Sequence, residues 1–352
     1  MNRRVIAIAL VILMVIPAAQ VFSQGSFKPK AEYTMQVNVG PLYDWGVGAQ
    51  RWADLIKEKT GGKVIVKPYF GSSLLAGKQT NWYQAVADGA IDFAVESTIN
   101  ASTVVPALNL FNLPFFLPNY DAVDKIENGK AGKMVIEQLE RGGLKFMAWG
   151  ENGYRQITNS KREIKSPDDM KGLKFRGVGS PIFVDMFKTL GADITLMSWA
   201  DAVTAFQQGV VDGQENPKSV LTVVKIWEYH KYLTNWGYVL DPLVFVVNAR
   251  VWKSFPADIQ NAIQEAALEA GEYEKALARA YLDGSKSAEK LKTKYGVIAE
   301  DAYANARAKG MVITDLTPAE LQVFKDKLAP VYNNWVPKVG KAIVDAAIED
   351  MK

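Results

Sequence analysis

The sequence predicts an α/β protein of two domains, with mixed, mostly parallel sheets around a hinged cleft and long helices at the C-terminus. Three observations carry that prediction. Apolar strands alternate with amphipathic helices in two successive blocks, the pattern of sheets covered on both faces. A chain of 352 residues with 49% hydrophobic content is large for one core and ample for two. From Pro256 the chain turns alanine-rich and charged with few glycines, which reads as helix.

The first block opens with an alternating strand over 33–39 that ends at Gly40-Pro41. A helix over 46–59 follows, with Val47, Trp52, Leu55 and Ile56 on one face, and Gly61-Gly62 stop it. Strands are expected over 63–69, 91–95 and 144–149, with helices over 79–87 and 121–141 between them. The stretch 107–117 (ALNLFNLPFFL) is too irregular and proline-punctuated for a regular helix. The second block repeats the logic: a strand over 173–178, a helix over 181–190 opened by Pro181, and a short helix over 201–208. Residues 210–215 lead into the turn GQENP. A strand over 238–248 carries Pro242 near its start, which suits a strand start or a sheet edge. Residues 256–295 read as one long helix, bent near Gly271, and 317–348 as the final helices. No flexible linker separates the blocks, so strands and a long helix are expected to form the hinge.

Several function classes fall away on composition. Arg3 and Arg4 precede the apolar run VIAIALVILMVI, which Pro17 breaks; residues 1–23 read as a secretory signal peptide, short of the about 20 apolar residues of a span. The chain has no cysteine, which removes disulfides, thiolate nucleophiles and cysteine metal sites. Its single histidine, His230, removes multi-histidine metal sites and leaves it as the sole base for any serine triad. The neighbours Trp227, Tyr229 and Tyr232 favour a packed histidine instead. Without Arg3 and Arg4 the chain carries 39 basic against 38 acidic residues, which offers nothing for nucleic acid or an anionic membrane. No GxSxG, HExxH, GxxxxGK[ST] or post-strand GxGxxG motif occurs, and neither a metal nor a cofactor is predicted.

The chemistry concentrates at strand ends and turns. Arg176 closes the apolar strand GLKFR, and a guanidinium buried there without a partner would cost several kcal/mol. Its partner is either an internal acid (Asp169, Asp185 or Glu215) or a ligand carboxylate, which its planar fork matches with two parallel bonds. Gly177 and Gly179 beside it are read as room for a ligand to approach the backbone. Arg155, in ENGYRQITNS, is either a second site arginine or a surface residue capping carbonyls. Asn216 either orients a ligand or caps the helix that Pro217 opens. Glu96 is either a site acid or a buried acid satisfied by backbone amides. Asn38 ends the first strand. Trp45, Trp82, Trp199 and Trp236 are each either core packing or cavity wall.

Four segments in order carry a resemblance: KEKTGGKVIVKPYFGSSL, AIDFAVES, NSKREIKSPDDMKGLKFR and VVDGQENP. From about Ala31 to the C-terminus the chain resembles the DctP-type solute receptors of TRAP (tripartite ATP-independent periplasmic) transporters. The resemblance implies a periplasmic binding-protein fold that captures an organic acid and delivers it to a permease of one small and one large membrane subunit. It implies that Arg176 clamps the ligand carboxylate, that Arg155 and Asn216 assist, and that Asn38, Glu96 and Trp199 occupy pocket positions. Tyr43, Asp44 and Trp45 are expected to wall the cleft from the first domain. The implied division joins 24–152 with about 242–281, and 153–241 with about 282–352. Ile99 stands where the sialic-acid branch has a second pocket arginine, which argues against a sialic acid. A dicarboxylate or sugar acid is expected, with an aromatic carboxylate or sulfonate as the alternative. From a different class, the alternative is an exported enzyme acting on organic acids. The long helix over 256–295 offers a surface for a homodimer.

Overall fold

The computed structural model describes residues 27–352; the signal peptide predicted at 1–23 lies outside them. Strands β1 (Tyr33–Val37), β2 (Val66–Tyr69), β3 (Phe93–Ser97) and β4 (Leu144–Tyr154) belong to a first sheet. β5 (Gln156–Asn159), β6 (Lys174–Gly177), β7 (Asp193–Leu196), β8 (Gly213–Asn216) and β9 (Tyr232–Asn235) build a second. The chain then returns to the first sheet as β10 (Leu240–Asn248) and to the second as β11 (Val312–Asp315). The spatial orders are β2-β1-β3-β10-β4 and β11-β9-β5-β8-β6-β7.

Both sheets are mixed, and the reason lies in how the chain crosses between them. β1 runs parallel to β2 and β3, and β6 parallel to β7 and β8, because helical crossovers join strands within one block. β5 and β10 enter from the other sheet without such a crossover, and both pair antiparallel with their neighbours. Arg155 is the single residue between β4 and β5, and Trp236–Val239 join β9 to β10. The two crossings lie side by side, with the Arg155 amide donating to the carbonyl of Val239 at 3.0 Å.

Helices cover the first sheet through an aromatic core. Trp52, on helix Asp44–Lys59, meets Phe93 of β3 and Phe245 of β10 edge-on at 5.4 and 5.2 Å. Helix Ala257–Arg279 closes that face with Ile259, Ile263, Ala266, Ala267 and Ala270, so its apolar stripe is used inside the chain.

Three expectations differ from what the structure shows. The helix predicted over 121–141 divides at Gly129 into Tyr120–Asn128 and Lys130–Glu140. The helix predicted over 256–295 does not bend at Gly271; it breaks after Arg279 and resumes as Lys286–Tyr295. Gly271 is small for packing: a Cβ there would sit 2.5 Å from the carbonyl oxygen of Trp149. The interruption is made instead by Tyr281, Gly284 and Ser285, all at positive φ. Finally, GQENP, expected as a turn, is strand β8 over Gly213–Asn216, because β5 and β6 pair with it. At the C-terminus, helix Lys341–Asp350 packs on the helices at 120–140. Asp350 accepts from the amides of Lys130 and Ala131 at 3.0 and 2.8 Å, satisfying donors at a helix start.

Candidate functional site

The ends of β3, β6 and β8 and the start of β10 converge between the sheets on a small, partly open cavity of about 30 Å³. Its polar wall includes Asn38, Asn100, Asn152, Arg155, Arg176, Asn216 and Asp241, and its apolar wall includes Tyr43, Trp45 and Trp199. Five of the six predicted site residues (Asn38, Arg155, Arg176, Trp199 and Asn216) meet here. Glu96 lies behind the wall: its Oε1 accepts from Gln36 at 3.2 Å and its Oε2 has no partner among the described residues. Burial holds its carboxyl well above the usual range, toward the neutral form.

Arg176 is buried on β6, held in register against Thr195 of β7 and Gln214 of β8. Its Nε and Nη2 donate to the carbonyl oxygen of Met197 at 3.2 and 2.9 Å, and the guanidinium carbon sits 5.5 Å from the ring centre of Trp199. The internal acids weighed as partners are engaged elsewhere. Asp169 caps its own turn through Ser166, Asp185 accepts from Trp335 Nε1 at 2.8 Å, and Glu215 pairs with Arg155. The Nη1–Nη2 edge, a two-donor fork, therefore has no acidic partner among the described residues. Burial pushes the guanidinium pKa down to about 10, against the pull of Glu215; it stays charged at neutral pH.

Arg155 is the opposite case. It is buried, not superficial, and its charge is answered twice: by Glu215 of β8, and by Asp241 of β10 at 3.0 Å from Nη1. Its Nη2 also donates to the Glu215 carbonyl at 2.8 Å and to Asn216 Oδ1 at 2.9 Å. Burial opposes its charge, but the two carboxylates outweigh that and raise its pKa. Because Glu215 belongs to the second sheet and Asp241 to the first, this residue ties the sheets together at their crossing. Asn216 caps no helix; its Nδ2 donates to Gln214 Oε1 at 2.6 Å. Asn38 accepts from Ser72 Oγ at 2.8 Å.

Trp199 lines one side of the cavity. It is the first residue of helix Trp199–Gln207; its amide donates to Gln79 Oε1 at 2.8 Å and its indole N–H to the Tyr43 hydroxyl at 3.0 Å. Tyr43, Asp44 and Trp45 form the start of a helix, and of the three only Tyr43 and Trp45 line the cavity. Gly177 and Gly179 do not make room for a ligand as expected. Cβ atoms there would meet Ile194 at 2.4 Å and Thr80 at 2.8 Å, so these glycines admit neighbouring side chains.

Sequence reasoning missed Gln79, Ser97, Asn100, Asn152 and Asp241. Asn152 sits in the segment that contains Arg155, and Ser97 follows Glu96; Gln79, Asn100 and Asp241 carry no local signal. Outside the cavity, His230 is buried, bonded through Nδ1 to Thr158 Oγ1 at 2.9 Å and packed 5.1 Å from Phe206. No cluster of three or more metal-ligating side chains exists among the described residues. None of the helices there is long and apolar enough to cross a membrane.

Two mixed sheets with helices meeting over a polar cavity define the solute-binding-protein class. The chain belongs to the DctP family, bacterial extracellular solute-binding protein family 7, whose model matches residues 36–338. It is similar to a TRAP periplasmic solute-binding protein of Ralstonia eutropha H16, at 44% identity and TM-score 0.86, covering 92% of this chain and 99% of that one; that structure holds (S)-2-acetolactate. A TRAP periplasmic solute-binding protein of Shewanella oneidensis with bound succinate matches at 26% identity and TM-score 0.80, over 91% and 99% of the two chains. The C4-dicarboxylate-binding periplasmic protein DctP of Rhodobacter capsulatus is 29% identical over 88% of this chain and 87% of its own.

Proposed function

We propose that this protein is an exported receptor that encloses a small organic acid between its domains and hands it to a TRAP permease of one small and one large membrane subunit. The ligand carboxylate is held on the Nη1–Nη2 edge of Arg176. One observation carries this reading: a buried guanidinium facing the cavity, with its nearby acids committed elsewhere. Arg155, Asn216, Asn38 and Trp199 shape the remainder of the cavity, and Glu96 supports it from behind through Gln36. The signal peptide predicted at 1–23 and the family's extracellular setting support a periplasmic location.

Capture is a closure about the paired crossings at Arg155 and 236–239. In this reading 24–152 and about 242–281 move against 153–241 and about 282–340, with the last helix travelling with the first unit. A charge-assisted bond contributes ~1.5–3 kcal/mol and micromolar affinity needs about 8 kcal/mol. Closure and wall contacts must supply the difference. The acetolactate held by the Ralstonia relative favours a short-chain acid.

A thermal-shift screen of short-chain hydroxy acids, oxo acids, dicarboxylates and sugar acids tests the reading. A ligand at 100 times its Kd adds about 2.7 kcal/mol of stability. Saturable stabilisation without turnover of the acid is expected. Product formation would favour an enzyme, and no stabilisation by any acid would contradict the receptor.

A further inference from the structure

Of the two arginines on the cavity wall, one is free for a ligand and the other is neutralised by the protein. The same wall carries Asp241, whose carboxyl is shifted upward in pKa by burial while the Arg155 charge holds it toward the ionised form. Asp241 is 1% exposed at the start of β10; its Oδ2 accepts from Arg155 Nη1 at 3.0 Å and Asn152 Nδ2 at 2.8 Å. Its Oδ1 accepts from Ser97 Oγ at 2.6 Å. An ionised carboxylate oxygen has two acceptor sites, so Oδ1 retains one. The Ser97 oxygen accepts in turn from the Ile99 amide at 3.1 Å, which directs its hydrogen at Asp241. The polar wall thus presents one unengaged cationic fork and one anionic acceptor.

Resting on the receptor reading above, we infer that Asp241 sets the substrate class. The ligand is a monocarboxylate whose second polar group is a hydroxyl donor, and dicarboxylates are excluded. A second ligand carboxylate would meet Asp241 in a site with no further free cation, and like charges at close range in a desolvated site discriminate strongly. A ligand hydroxyl finds the spare acceptor on Oδ1 instead. Arg155 does not relieve the repulsion, because Glu215 and Asp241 already answer its charge.

The test compares two near-isosteric probes by calorimetry: (S)-2-acetolactate and 2-hydroxy-2-methylmalonate, in which a carboxylate replaces the acetyl group. Wild-type protein is expected to prefer the monocarboxylate by at least about 100-fold. Asp241→Asn keeps the shape, removes the charge, and is expected to bring the two within about tenfold. Comparable binding of both probes by wild type would overturn the inference while leaving the receptor reading intact. So would an undiminished preference in folded Asp241→Asn protein. If wild type binds neither these probes nor any acid in the thermal-shift panel, the receptor reading falls and this inference with it. The wild-type preference decides the exclusion even where the variant fails to fold.

Discussion

The carbonyl oxygen of Met197 accepts from both Nε and Nη2 of Arg176, and that shared acceptor fixes the guanidinium with its far edge unengaged. A carbonyl neutralises nothing. The charge is stabilised in part by the face of Trp199, an interaction worth up to about 2 kcal/mol when desolvated. On the receptor reading proposed above, the site is organised around a ligand anion.

Trp199 also donates from its indole N–H to the Tyr43 hydroxyl at 3.0 Å, a contact that on the receptor reading holds the closed form. Trp199→Phe keeps a ring over Arg176 and loses the indole donor. A neutral hydrogen bond is worth about 1 kcal/mol, so stopped-flow measurement should show ligand release accelerated roughly fivefold. An unchanged release rate would mean that the Tyr43 contact does not hold the closed form.

Arg155 is structural in its energetics. Arg155→Met leaves Glu215 and Asp241 buried and unpaired, which should destabilise the fold by about 3–5 kcal/mol. Adding Glu215→Gln should recover part of that loss in urea denaturation. If the double variant is no more stable than the single, the ion pair is not the source.

At Gly271 two effects oppose each other. Alanine improves helix propensity by about 1 kcal/mol, but its Cβ would press on the Trp149 carbonyl at 2.5 Å. Overpacking costs about 1–3 kcal/mol, so Gly271→Ala should lower the denaturation midpoint. A raised midpoint would show that the helix simply shifts outward.

His230 gives a pH signature. Burial pushes its pKa down to about 4 from 6.5, against the weak pull of Asp212. The unfolded chain then binds the proton more readily, so its contribution is fully present above pH 6.5 and is lost as pH falls toward 4. A shift of this size corresponds to about 3 kcal/mol. His230→Gln should flatten the stability profile across that window relative to wild type; parallel profiles would refute a buried neutral histidine.

The sequence made legible what depends on local pattern. The strand ending in Arg176 and the alternation that specifies two sheets follow from neighbouring residues, whereas GQENP, read as a turn, supplies strand β8 because β5 and β6 pair with it. The partners of Arg155 were not legible, because Glu215 and Asp241 lie 60 and 86 residues away and meet it only where the sheets cross. Gly271 looked like a bend because local propensity cannot see the strand packed against it. Asp241 looked like an ordinary residue before a proline, since its environment is made by Ser97, Asn152 and Arg155 from three other segments.

The most direct measurement is calorimetry of wild-type and Arg176→Met protein with the acid that gives the largest thermal shift. Removing a buried charge without an acidic partner should leave the unfolding temperature unchanged or raised, because an apolar side chain of similar length is tolerated there. Binding should weaken by at least about 100-fold, the loss of a two-point charge-assisted clamp. Affinity within about threefold of wild type in the folded variant would contradict the clamp and, with it, the central assignment.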